Sequence, residues 1–194
     1  RLTDINREPI NTPPDVAQTF NLGMVAYRKP GLGLFMLRES ILGHDRFDYA
    51  FKNYIAKWAF KHPRPIDFFN AMENASGEDL DWFWKAWFYN TGNIDQGVTN
   101  VSYVDNDPKL GAIISLENVG EVVMPINLII ENEQGIKTKA HIPVAFWMRG
   151  NKANYKANTT SKIVKVTIDP EALYPDIDLS NNVFENISDQ KIKD

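Results

Sequence analysis

The run Pro30-Gly31-Leu32-Gly33-Leu34-Phe35-Met36-Leu37-Arg38-Glu39-Ser40-Ile41-Leu42-Gly43 spreads its apolar residues around most of a helix, not along one stripe. Such a helix is expected to be covered on several sides. Pro30 suits a first turn, where its missing N–H costs nothing, and Gly43 suits the left-handed position past the end. Asp45 is a good N-cap for a second helix from Arg46 to about Phe60. Its inner face is Phe47, Phe51, Tyr54 and Trp58, spaced by four, three and four. His62-Pro63-Arg64-Pro65 must stop it. A third helix is predicted over Ile66 to Asn74, with Gly77 beyond it, and a fourth from about Asp79 to Tyr89, closed by Gly92. Upstream, Pro9, Pro13 and Pro14 make residues 1–23 irregular.

More than half of the chain's aromatic residues fall between Phe47 and Tyr89. Trp82, Phe83, Trp84, Trp87 and Phe88 cannot share one face, so the fourth helix is expected to pack on more than one side. An aromatic cluster can also stack on sugars or bases, but at helical spacing core packing is the ordinary role. After residue 95 the texture becomes β. Val98 to Val104, Gly111 to Glu117, Ile126 to Ile130, Lys137 to Phe146 and Ile163 to Ile168 read as short strands between turn signals such as Asn106-Asp107-Pro108 and Gln134-Gly135. The fold class is therefore α+β in two parts: a helical segment over 1–95, then an antiparallel β-sandwich over 96–180. Residues 181–194 read as a polar tail that frays from Ser180 onward.

The 194 residues carry 21 basic and 25 acidic side chains, a net charge of −4, with 43% hydrophobic residues. Neither half is basic, which removes the electrostatic case for a nucleic-acid or anionic-lipid surface. No apolar run reaches the ~20 residues of a membrane span. Absence of cysteine excludes disulfides, thiolate catalysis and cysteine-ligated zinc, but it leaves cytoplasmic and periplasmic or secreted locations both open. The chain starts at Arg1, not Met, and Arg1 to Phe20 shows no signal-peptide pattern; the expectation is a piece of a longer protein.

Residues that could do chemistry are few. His44, His62 and His141 are never four apart, so there is no H-E-x-x-H helix and no self-contained zinc site. Each reads as an ordinary residue: ahead of an N-cap, in a loop before proline, and in a strand. Asp67, Glu78, Asp79 and Asp81 read as first-turn carboxylates complementing helix dipoles. Asn74, Asn100, Asn158 and Asn186 head glycosylation sequons, which an Asn-rich chain produces by chance. No phosphate loop, nucleophile elbow or dinucleotide fingerprint is present.

The segment Val25-Ala26-Tyr27-Arg28-Lys29-Pro30-Gly31, followed by Leu34, Leu37-Arg38 and Leu42-Gly43, resembles the Y-x-K-G segment of the M1 (gluzincin) zinc aminopeptidases. Phe47 to Tyr54, then Trp58-Ala59-Phe60-Lys61-His62-Pro63, is similar to the same family. So are Asp67-Phe68 and Gly77-x-x-Leu80-x-x-Phe83-x-x-Trp87. The resemblance covers roughly residues 24 to 95. The β part resembles the Ig-like sandwich that follows the catalytic domain in many members, through Pro175-Asp176-x-Asp178 and Asn181-Asn182. One departure stands out: Pro30 is inserted where the family has Gly directly after Lys.

The resemblance implies a zinc-dependent enzyme that removes N-terminal residues from peptides. An H-E-x-x-H helix and a later Glu bind the metal, which polarises the scissile carbonyl and activates water. It also implies that Tyr27 donates to the tetrahedral oxyanion, a charge that develops only in the transition state. None of the zinc ligands and no general base falls within this chain, so it is expected to be zinc-free and inactive alone, with zinc and peptide substrate belonging to the parent enzyme. Apolar helix surface exposed by truncation would favour self-association. The alternative is a non-enzymatic binding or scaffold module related to the M1 peptidases.

Overall fold

The computed structural model describes residues 7–186. The expectations for the first six and last eight residues lie outside them. The chain divides into two compact units, Arg1–Gly92 and Asn93–Asp194.

In the first unit residues 22–41 form one continuous helical stretch. It comprises a π-helical turn, Met24–Arg28, then α1, Lys29–Met36, then a second π turn, Leu37–Ile41. Pro30 is therefore inside a helix, not at its start. It has no N–H to give to the preceding turn, and its ring crowds the carbonyl there. The wide π turn directly before it supplies the room. Tyr27 accordingly sits within a helix and not at a loop-to-helix junction.

Helix α2, His44–Trp58, begins after Gly43, whose φ is +77°. Gly43 takes the N-cap position and Asp45 the first turn, so the expected Asp45 cap is displaced by two residues. The helix stops short of His62: the Ala59 N–H donates to Ile55 O, Phe60 turns left-handed at φ +61°, and the Lys61 N–H returns to Trp58 O. Helix α3, Pro65–Ser76, opens with a capping box in which the Arg64 N–H donates to Asp67 Oδ2 at 2.9 Å, and ends at left-handed Gly77. Helix α4, Asp81–Phe83, runs straight into a third π turn, Trp84–Phe88.

The rings are core. Phe47, Phe69, Phe83, Trp84, Trp87 and Phe88 are all buried. Phe69 stacks on Trp84 at 4.4 Å between centroids, and Tyr54 meets Phe68 edge-on at 4.9 Å. This burial of successive rings on the last helical stretch is what the sequence predicts, and it removes these side chains as an exposed stacking platform.

The second unit is a sandwich of two antiparallel sheets. β1 (Gln96–Tyr103), β2 (Ala112–Asn118) and β5 (Lys152–Ala157) form one, in the order β1-β2-β5. β3 (Ile126–Asn132), β4 (Lys137–Ile142), β6 (Ile163–Ile168) and β7 (Val183–Glu185) form the other, in the order β4-β3-β6-β7. Alternate residues Ala112, Ile114 and Leu116 of β2 face Ile126, Leu128 and Ile130 of β3 in one aliphatic core. The Tyr103 hydroxyl accepts from the Ile163 N–H at 2.9 Å, linking the sheets.

Three readings need correcting. β4 stops at Ile142, because Pro143 cannot continue a ladder, and Val144–Arg149 is a 3₁₀ helix. β5 was not foreseen. Val183–Glu185, assigned to the polar tail, is a strand: Val166 pairs with Phe184, and the Ile168 N–H donates to Asn182 O at 2.8 Å.

Candidate functional site

Tyr27 is 75% exposed on the first π turn. Its hydroxyl bonds to no group among the described residues. A π turn widens the helix and re-aims the side chains it carries, and such turns are frequent where helices bear function.

Two residues on, Lys29 is the opposite: only 6% exposed. Its Nζ donates to Asn90 O at 2.7 Å and lies 5.2 Å from the Trp87 ring centroid. Its carbonyl accepts from Trp87 Nε1 at 2.9 Å. Burial, with the positive charge of Arg7 adding, pushes the ammonium down to about 8. Sequence reasoning passed over Lys29 as a letter of a motif. The available signal was a lysine set against an apolar helix and a tryptophan-rich one.

The other candidates serve the fold. His44 Nε2 pairs with Glu39 Oε2 at 2.7 Å, inside a cluster in which Arg38 grips both oxygens of Asp48 at 2.8 and 3.1 Å. His62 is exposed in the loop before α3, and His141 Nδ1 lies 2.8 Å from Asn127 Oδ1 on the neighbouring strand. Asp67 caps α3, Glu78 pairs with Arg46, the Asp79 carboxylate accepts from the Asp81 N–H, and Asp81 pairs with Lys85. The four sequon asparagines are exposed, on α3, β1, the loop after β5 and the end of β7.

Among the described residues the one group of three metal-capable side chains is Glu73, Asp79 and Asp81. It does not suit catalytic zinc. All its donors are oxygen, whereas hydrolytic zinc sites rely on imidazole. Glu73 Oε1 also already accepts from the Leu80 N–H and the Trp84 indole, both at 3.1 Å.

A helical unit followed by a two-sheet sandwich is a fold that recurs in a known peptidase. Residues 3–87 match the model of the peptidase family M1 domain. Aminopeptidase M1-A of Oryza sativa subsp. japonica is 30% identical over 108 residues, which is 54% of this chain and 12% of the rice protein. In structure, aminopeptidase A of Legionella pneumophila, solved in complex with aspartic acid, matches with a TM-score of 0.58 at 16% identity, over 74% of this chain and 16% of the bacterial one. The helical unit is thus similar to part of the M1 peptidase domain, and the chain spans a small fraction of the length of the aminopeptidases it matches.

Proposed function

We propose that this chain is the part of a zinc aminopeptidase that follows its metal-binding segment, and that Tyr27 serves there as the oxyanion donor. The carrying observation is the solvent-facing, unbonded phenol of Tyr27 in a region matched by the M1 peptidase domain. A neutral phenol can donate to the oxygen of the tetrahedral intermediate, where charge appears as the scissile carbonyl is attacked. On this reading zinc, its ligands and the general base come from sequence outside this chain; the one three-carboxylate group among the described residues, Glu73, Asp79 and Asp81, offers only oxygen donors. The substrate is a peptide with a free N-terminus.

In the full-length protein, Tyr27→Phe is expected to lower kcat roughly 10²–10³-fold, as removal of one oxyanion donor does. Zinc content by atomic absorption should stay stoichiometric. Unchanged kcat would remove the assignment. The 194-residue chain alone is expected to release nothing from an aminoacyl p-nitroanilide and to purify without zinc. Phe20, Phe35 and Phe60 are exposed apolar rings of the helical unit, and in the isolated chain they favour self-association, to be read by sedimentation at rising concentration.

A further inference from the structure

Among the described residues no hydrogen bond or ring contact holds the Tyr27 side chain, which is 75% exposed, so the phenol is placed by the backbone turn that carries it. Lys29 controls that turn. Its N–H donates to Met24 O and closes the π turn Met24–Arg28. Its carbonyl and its ammonium fasten the same turn to the last helical stretch, through Trp87 Nε1 and Asn90 O. Gly33, one turn further along, lets the indole come this close: a Cβ there would meet Trp87 Cδ1 at 2.7 Å. Among the described residues no carboxylate pairs with Lys29, so the buried ammonium rests on one carbonyl and one ring face. Burying an unpaired ammonium is costly, and a methionine would fill the space without that cost. What methionine lacks is the donor that ties the turn down.

We propose that Lys29 is a positioning residue for Tyr27: its three polar groups lock the π turn against Trp87 and Asn90 and so fix where the phenol stands. This rests on the reading of Tyr27 as oxyanion donor. The geometry of such a donor must hold to a fraction of an ångström, and a misplacement of about 1 Å costs on the order of 10²-fold in rate.

The experiment is steady-state kinetics of the full-length protein on an aminoacyl p-nitroanilide, with Tyr27→Phe, Lys29→Met, Lys29→Arg, Trp87→Phe and the pair Tyr27→Phe with Lys29→Met. Lys29→Met is expected to lower kcat about 10- to 100-fold with KM within about twofold of the parent. Lys29→Arg, which keeps a donor for Asn90 O, should recover most of the loss. In the Tyr27→Phe background Lys29→Met should cost nothing more, because the group it places is already gone. Hydrogen exchange at the Met24–Arg28 amides of the 194-residue chain should quicken about tenfold in Lys29→Met, as a local opening made easier. Should Lys29→Met fail to fold by near-UV circular dichroism, Trp87→Phe, which keeps an aromatic ring but loses the indole donor together with some buried volume, is read in the same way, with urea unfolding measuring the packing loss separately. Parental kcat in Lys29→Met beside a damaged Tyr27→Phe overturns the inference and leaves the Tyr27 reading standing. An equal further loss in the double variant also overturns it. Parental kcat in Tyr27→Phe overturns the Tyr27 reading itself.

Discussion

In the helical unit the carboxylates of Glu39, Asp48 and Asp67 stand at the surface, each held by a cation or a helix terminus, while the interior is filled by rings. In the β unit the arrangement is reversed. Asp169 and Asp176 reach inward and bond backbone N–H groups, while the interior is mainly aliphatic around the buried ring of Trp147. The Asp169 carboxylate accepts from the Leu173 and Tyr174 N–H groups at 3.0 and 2.8 Å and shapes the turn after β6. Asp176 accepts from the Gln96 and Asp178 N–H groups, both at 2.9 Å, and ties the start of β1 to the segment before β7. Helices satisfy their own backbone and leave side chains to pack. A sandwich leaves strand ends and corners that need polar side chains inside.

The largest expected effect tests the ring-filled interior. Phe83 is fully buried, with Trp82, Trp84 and Phe88 around it. Phe83→Ala should destabilise the helical unit by about 3–5 kcal/mol in urea unfolding. A loss below about 1 kcal/mol would mean that the rings do not form a close-packed core.

Next come two glycines that fail differently. A Cβ at Gly33 would strike the Trp87 side chain, and one at Gly120 would strike the carbonyl oxygen of Asn93 and the backbone N of Asp95. Both substitutions by alanine overpack, at about 1–3 kcal/mol. Gly120→Ala should sit at the upper end, since the Asn93 and Asp95 backbone, held by hydrogen bonds from the Val119, Gly120 and Val122 N–H groups, cannot turn aside as a ring can. The reverse order in thermal shifts would show that the indole, fixed through Lys29, is the stiffer neighbour. A smaller effect belongs to Tyr103→Phe, which deprives the Ile163 N–H of its acceptor and should cost the β unit about 1 kcal/mol.

Legibility in the sequence followed the same divide. Ring spacing announced α2, because large side chains mark a helical face plainly, while α3 and the last helical stretch were legible between the breakers His62-Pro63-Arg64-Pro65, Gly77 and Gly92. The first helix was cut in half at Pro30, since the rule that proline starts helices is local and the π turn that admits it leaves no mark of its own. β5 hid because its inward residues are Ala153, Tyr155 and Ala157, and two alanines make a faint alternation. Val183–Glu185 hid in polar surroundings because an edge strand held on one side by β6 needs little burial. The candidate site was legible only through resemblance. Tyrosine on a helix is commonplace by itself, and Lys29 becomes notable only when Trp87 and Asn90, some sixty residues on, are seen against it.

The smallest effect is the sharpest test of the contrast, because it predicts opposite signs. Burial raises the Asp169 and Asp176 carboxyls above their ordinary range, against the pull of their backbone donors. The folded β unit therefore keeps protons that the unfolded chain releases, so this contribution is full below the ordinary carboxylate range of about 4 and is lost as pH rises through the raised values. Glu39, Asp48 and Asp67 are lowered, chiefly by hydrogen bonds from His44, Arg38 and the Arg64 backbone. Their contribution is present above about 4 and is lost as pH falls toward the depressed values. Asp178, lowered by Ser180, places one exposed group of the β unit on the helical side of this divide. Acidification from neutrality should then strengthen protection of the β-unit amides first, between about pH 7 and 4, and weaken that of the helical unit only below about 4. Added salt should blunt the helical effect, whose charges face solvent, and leave the β effect nearly intact. Hydrogen exchange followed by NMR reads both at once. Helical amides losing protection while the solution is still near pH 6, or Asp169 titrating below an ordinary carboxylate, would show that the two units do not place their acids on opposite terms.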